Sequence, residues 1–293
     1  MVERGLTRAG GSHRETAISN WACDLIHLES RNARVEVDEE FGGRLASLEV
    51  DGLELLVRAD DPAALASADP ALAWGSYPMA PWASRIRNGA FELDGVRHQL
   101  PRRMPPHAIH GTVLDRVWAI ESVDQSHCTL SIDLGPDWPW AGELRQHIEL
   151  EEESLLCHLE LRTQSAYFPF SMGWHPWFRR QLARGDAAEL AFSARQIYVR
   201  DAEEIPTGET ESPGPGPYDD TFTEIESDPR IHWPNALTLT LSSSLDHWVV
   251  YDALPHALCV EPLSGPPDAL NIAPQYVEQQ KPATGEFRIS WRD

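Results

Sequence analysis

Apolar and polar residues alternate with a period of two along much of the chain, the signature of half-buried strands. Arg34-Val35-Glu36-Val37-Asp38 is a clean instance. Residues 46–50 and 53–57 flank Asp51-Gly52, a dipeptide suited to a tight hairpin turn because both positions tolerate positive φ. The device recurs where Phe91 and Leu93 precede Asp94-Gly95 and Val96 follows. Further strand-like runs cover residues 117–123, 128–134, 143–150, 155–162, 189–192, 197–199, 237–241, 248–251, 258–260 and 287–291. About fourteen short strands with almost no helical periodicity predict an all-β fold, a large antiparallel β-sandwich with few or no helices.

Three stretches read as loops: residues 60–81, rich in Ala, Asp and Pro; residues 101–106, a Pro/Arg turn; and residues 203–218, too rich in Pro and Gly for a strand. Residues 1–20 read as a polar leader lacking a secretory apolar segment, and residues 21–293 as a single domain without internal repeats.

Composition narrows the function. The 293 residues are 42% hydrophobic, enough for a large core, yet no apolar run approaches the roughly 20 residues needed to cross a bilayer. The formal charge is -22, with 46 acidic against 24 basic residues, which argues against nucleic acid and anionic membrane surfaces. A small anionic substrate stays possible, since a few arginines can reverse the field inside one pocket. Cys23, Cys128, Cys157 and Cys259 form no C-x-x-C pair, and three lie in strand-like runs. They read as reduced thiols of a cytoplasmic protein rather than disulfides or a zinc site.

Four segments could carry chemistry. In Gly173-Trp174-His175-Pro176-Trp177-Phe178, the proline restrains His175 to extended backbone, and histidine exchanges protons near neutral pH. A structural histidine packed among aromatics is the competing reading. In Cys259-Val260-Glu261-Pro262, Glu261 ends an apolar strand, as a partly buried general base or as a solvated strand end. In Trp82-Ala83-Ser84-Arg85-Ile86-Arg87-Asn88-Gly89, Arg85 offers a fork of donors to sugar hydroxyls or a carboxylate. His107-Ala108-Ile109-His110-Gly111 aims His110 toward a cleft; a metal held by His107 and His110 is disfavoured because a strand puts i and i+3 on opposite faces. Fourth, Asp219-Asp220 could bond sugar hydroxyls or form a solvated turn. Trp82, Trp138, Trp140, Trp174 and Trp177 could stack on a pyranose or simply fill the core.

Together these segments resemble the aldose 1-epimerase (mutarotase) family of the galactose mutarotase-like superfamily. The resemblance spans about residues 41–271 and adds Glu261-Pro262 with Pro267-Asp268-Ala269-x-Asn271 to the motifs above. It implies the family's β-supersandwich, with no metal and no cofactor. It also implies a monosaccharide substrate, and a monomer or homodimer. It places the general acid on His175, the general base on Glu261, and substrate binding on Arg85, His110 and Asp219 (or Asp220), with His107 and Trp174 beside them. Ser84, His107 and Thr112 depart from the family pattern, which leaves the sugar open. The implied reaction opens the ring with His175 cationic and Glu261 anionic at rest. A phosphorylated or sulfonated hexose, clamped by Arg102 and Arg103 or by Arg179 and Arg180, is one alternative. A non-catalytic carbohydrate-binding module is another, and a glycoside hydrolase or lyase a third.

Overall fold

A computed structural model describes residues 25–291. The polar leader and Cys23 lie outside them. The fold is all-β: the largest sheet holds 17 strands, and every pairing between its strands is antiparallel. Only two short α-helices occur among the described residues, Pro62–Leu65 and Ala269–Ile272. Strands far apart in the sheet share one core: Leu28 and Val35 pack in the same cluster as Leu155, Phe287 and Ile289, so the sheet folds over on itself as a sandwich. Cys128, Cys157 and Cys259 are buried free thiols.

The hairpins form where the sequence asked for them. Asp51 and Gly52 join Arg44–Val50 to Leu53–Glu54 at φ 50° and 75°, and Asp94 and Gly95 join Ala90–Leu93 to Val96–Gln99 at φ 52° and 75°.

Two expected loops contain strands. Ser76–Met79 is buried at every position, because one face meets the core and the other the site described below. Burial on both faces erases the period-two signal. Pro206–Glu211 is exposed along most of its length and pairs only with Glu189–Arg200, so it is an edge that tolerates proline. The reading also missed the strand Asp219–Trp233, whose pairing with Glu189–Arg200 slips register twice and breaks the alternation.

Candidate active site

Five strands lie side by side in one part of the large sheet. Their order is Ser76–Met79, Gly173–Arg179, Ala257–Leu263, His247–Tyr251 and Asp219–Trp233. Tyr77 pairs with His175. Gly173 opposite Leu263 and Trp177 opposite Cys259 put Glu261 directly across from His175. Glu261 faces Val249, and Val249 faces Thr221. One row of side chains therefore reads Tyr77, His175, Glu261, Val249, Thr221. Two residues along each strand, on the same face, a second row reads Trp177, Cys259, Tyr251, Asp219. Residues separated by 86 positions in the chain become cross-strand neighbours.

This face floors a cavity of about 520 Å³, within the ~300–1,000 Å³ typical of small-molecule sites. The strand Gly173–Arg179 closes tightly on Ala257–Leu263 because residue 173 is glycine. A Cβ there would lie 2.1 Å from the Pro262 carbonyl oxygen.

The walls come from loops. Arg85–Ile86 pairs with Ala108–Ile109, which brings Arg85 beside His110. His110 is held at φ 58°, and Gly111 follows at φ 80°, where a Cβ would meet the Ala80 carbonyl oxygen at 1.9 Å. A bulky residue at positive φ is strained, and such strain concentrates at functional sites. The Pro-Asp-Ala-x-Asn motif is the anchor of this wall. Buried Asp268 donates its N–H to the Arg85 carbonyl at 2.6 Å, and its Oδ1 accepts from the Arg87 N–H at 2.9 Å and from the Asn271 amide at 2.7 Å. Arg87 in turn ion-pairs with Asp201 at 2.6 Å and with Glu203, fixing the turn that presents Glu204 and Pro206 to the cavity.

Of the seven residues singled out from the sequence, five line this one cavity: Arg85, His110, His175, Asp219 and Glu261. Two do not. Trp174 points to the opposite face of its strand, because neighbouring positions alternate. It sits in the main core against Phe287 and donates Nε1–H to Gln146 Oε1 at 3.0 Å. His107 is buried outside the cavity, its Nδ1 accepting the Asn88 N–H at 3.1 Å. Asp220 also turns away and ion-pairs with Arg200 at 2.8 Å, which leaves Asp219 as the acid in the cavity. Among the tryptophans, Trp82, Trp138 and Trp140 join a core cluster around Phe91 and Phe168. Of the five, Trp177 is the one that lines the cavity. The signal for it was there: it stands two residues past His175, on the same strand face. Tyr77 and Tyr251 carried no such signal, since strand pairing alone brings them in.

His175 stacks on two rings. Tyr77 lies at 4.9 Å and 28°, Trp177 at 5.2 Å and 13°, and His110 meets it edge-on at 5.1 Å. Nε2 of His175 is 3.4 Å from Glu261 Oε1. Burial pushes His175 down to about 3, so its imidazole is neutral at neutral pH. Burial raises Glu261 well above the usual carboxylate range; Asp219 adds to this and Arg85 opposes it. Burial, then the neighbouring His175 and arginines, keeps His110 neutral too. Asp219 is raised by burial, with Arg85 and Arg200 pulling it down. These shifts run against the expected resting pair, cationic His175 and anionic Glu261, because burial disfavours the charge on both groups. His175, Cys259 and Glu261 offer ligand atoms within 4.8 Å of one another; His107 and His110 do not share a ligand cluster among the described residues.

The four arginines suggested as an anion clamp scatter. Arg179 holds the Leu56 carbonyl and Asp61, Arg180 the carbonyls of Leu254 and Asp252, and Arg102 the Asn88 carbonyl. Arg103 reaches the cavity with its fork occupied by Asp69 and Asp115, both at 2.6 Å.

The sequence profile of the aldose 1-epimerase family matches residues 24–286. The Escherichia coli K12 protein YihR, itself uncharacterised, is 27% identical over 221 residues, 66% of this chain and 70% of that protein. Among solved structures, a galactose mutarotase-like protein from Clostridium acetobutylicum superposes with a TM-score of 0.79 at 15% identity, covering 92% of this chain and 95% of that one. A galactose 1-epimerase from Lactobacillus acidophilus gives 0.71 at 18% identity, covering 91% and 93%. At these identities the structures speak to the fold.

Proposed function

The chain belongs to the aldose 1-epimerase family, and on that premise we propose that it interconverts the α and β anomers of a hexose by acid–base ring opening, with no metal or cofactor. The observation that carries this reading is the buried pair His175 and Glu261, 3.4 Å apart on the floor of a sugar-sized cavity.

The reaction needs one transferable proton on the pair. The ring oxygen has only lone pairs, so the side chain facing it must carry a proton. The anomeric hydroxyl must lose its proton, so the side chain facing it must accept. We assign His175 to the ring oxygen and Glu261 to the hydroxyl. The protonated imidazole with the carboxylate, and the neutral imidazole with the carboxylic acid, hold the same number of protons and the same net charge. Binding the sugar favours the first arrangement, through a hydrogen bond to each charged group. Ring opening moves one proton from His175 to the ring oxygen and one from the hydroxyl to Glu261. It thereby returns the pair to the neutral arrangement that burial prefers. Rotation about C1–C2 exposes the other face of the aldehyde, and the reverse transfers close the ring. Arg85, His110 and Asp219 bind hydroxyls around the reacting centre, and Trp177 offers its face to the apolar side of the pyranose. The buried reduced thiols fit a cytoplasmic enzyme.

One observation favours a second reading, a phosphorylated or sulfonated hexose. Arg85 contacts the Glu204 carbonyl at 3.3 Å and has no carboxylate in ion-pair range among the described residues, so its charge is available to an anionic substituent.

The test is anomer exchange, by NMR or polarimetry, on neutral, phosphorylated and sulfonated hexoses, with His175→Asn and Glu261→Gln. Each positioned group is expected to contribute ~10²–10⁴ in rate. Near wild-type exchange in either variant would overturn the assignment, and no exchange by the wild-type protein on any sugar would leave a binding module.

A further inference from the structure

Arg44 is fully buried, and its guanidinium makes no ion pair among the described residues. Its fork instead donates to the carbonyls of Phe41 at 3.0 Å, Trp74 at 3.1 Å and Leu114 at 2.7 Å. Three rings enclose it: Trp74 at 4.2 Å, Phe41 at 4.8 Å and Tyr77 at 4.9 Å. Burying a cation without a carboxylate is unfavourable, and an apolar side chain of similar volume often serves folding as well. The carbonyl contacts tie loops together. They do not explain why the tie carries a full charge.

The third ring of the cage answers that. Tyr77 is the residue that stacks on His175, at 4.9 Å. The guanidinium carbon therefore lies within about 10 Å of the imidazole centre, and the buried Tyr77 ring contacts both. Arg44, Tyr77 and His175 form a continuous stack from the core to the cavity floor.

We propose that Arg44 is a positioning residue of this site, which acts through Tyr77 to hold the His175 ring against Glu261 and places a fixed positive charge behind it. This rests on the acid–base reading of His175 given above. The groups that face His175 are Glu261 and Cys259 from the strand Ala257–Leu263, Tyr77 from Ser76–Met79, His110 from the loop wall, and Arg44 from Arg44–Val50. Of these, Arg44 supplies the permanent positive charge. After burial, its charge is a further influence that lowers the affinity of His175 for a proton. A poorly held proton is the one most readily passed to a weakly basic ring oxygen.

The experiment uses the full-length protein. Histidine ring signals are followed by NMR from pH 7 to the acid limit of the folded range, with His175 assigned from His175→Asn, beside the pH profiles of kcat and KM. Arg44→Met removes the charge and keeps much of the volume, Arg44→Lys keeps the charge, and Tyr77→Leu keeps Arg44 but removes the intervening ring. In Arg44→Met the protonation midpoint of His175 is expected to rise by about one pH unit, as for a full charge at ~10 Å through an effective dielectric of ~20. The acid limb of kcat should move with it, with KM little changed. Arg44→Lys should keep the wild-type midpoint. A folded Arg44→Met with the wild-type midpoint and kcat profile overturns the proposal, whatever its stability. If Arg44→Met does not fold, Tyr77→Leu decides: an unchanged kcat and midpoint there overturn it equally. Because the NMR midpoint needs no turnover, an Arg44-dependent midpoint in a protein without anomer exchange refutes the catalytic reading while leaving the coupling in place.

Discussion

Protonating His175 should destabilise the fold, and the size of that effect follows from its burial. The imidazole has an ordinary value of 6.5 and is pushed down to about 3 in the folded protein. Between these two values the unfolded chain binds a proton that the folded chain refuses. Stability contributed by this group is therefore fully present above pH 6.5 and is lost as pH falls toward 3. Between pH 7 and 4.5 the unfolded imidazole takes up nearly one proton and the folded one almost none. Integrated over that interval, wild type should lose on the order of 2–3 kcal/mol through this residue alone. His175→Asn has no such group and should be spared that loss. The assay is urea unfolding of both proteins at pH 7 and 4.5, extrapolated linearly to water. Each protein's own change is taken first, then the difference between the two changes. Buried His110 acts with the same sign, but it is present in both proteins and cancels. Glu261 acts with the opposite sign and above the ordinary carboxylate value, where its raised folded-state affinity favours the native state until pH climbs past it. Parallel losses in the two proteins would mean that His175 is not buried in its neutral form, and the proton inventory of the site would have to be redrawn.

Other perturbations follow from the same geometry. Gly173→Ala places a Cβ 2.1 Å from the Pro262 carbonyl oxygen, so it should destabilise by about 1–3 kcal/mol and lower kcat by parting the His175 and Glu261 strands; a thermal melt and a rate measurement check both. Asp268→Ala leaves the Arg87 N–H without its acceptor and the Asn271 amide with the Ala90 carbonyl alone; it should destabilise by about 1–3 kcal/mol and raise KM more than it lowers kcat, because the wall carrying Arg85 loosens. Trp177→Leu removes one of the two rings stacked on His175 and the aromatic wall of the cavity, and should lower kcat/KM roughly tenfold, equivalent to about 1.4 kcal/mol.

The chain by itself determines the fold class and the chemistry-bearing residue types. Local alternation and two Asp-Gly turns are short-range properties, so they survive without tertiary context. His175 and Glu261 stand out because each sits beside a proline in an apolar run, a pattern that constrains the backbone wherever the segment ends up. Direction and distance were decided elsewhere. Trp174 and Trp177 look equivalent in sequence, and only strand phase sends one to the core and the other to the cavity. Asp219 and Asp220 are separated by the same alternation. His107 is taken by the Asn88 N–H, a contact set by how two loops meet. Tyr77 belongs to the site because its strand pairs with that of His175, about 100 residues on in the chain, and Arg44 because its strand pairs in turn with that of Tyr77. The protonation of the His175 and Glu261 pair was likewise beyond the sequence. It is set by burial, which is a property of the folded sheet and not of either residue.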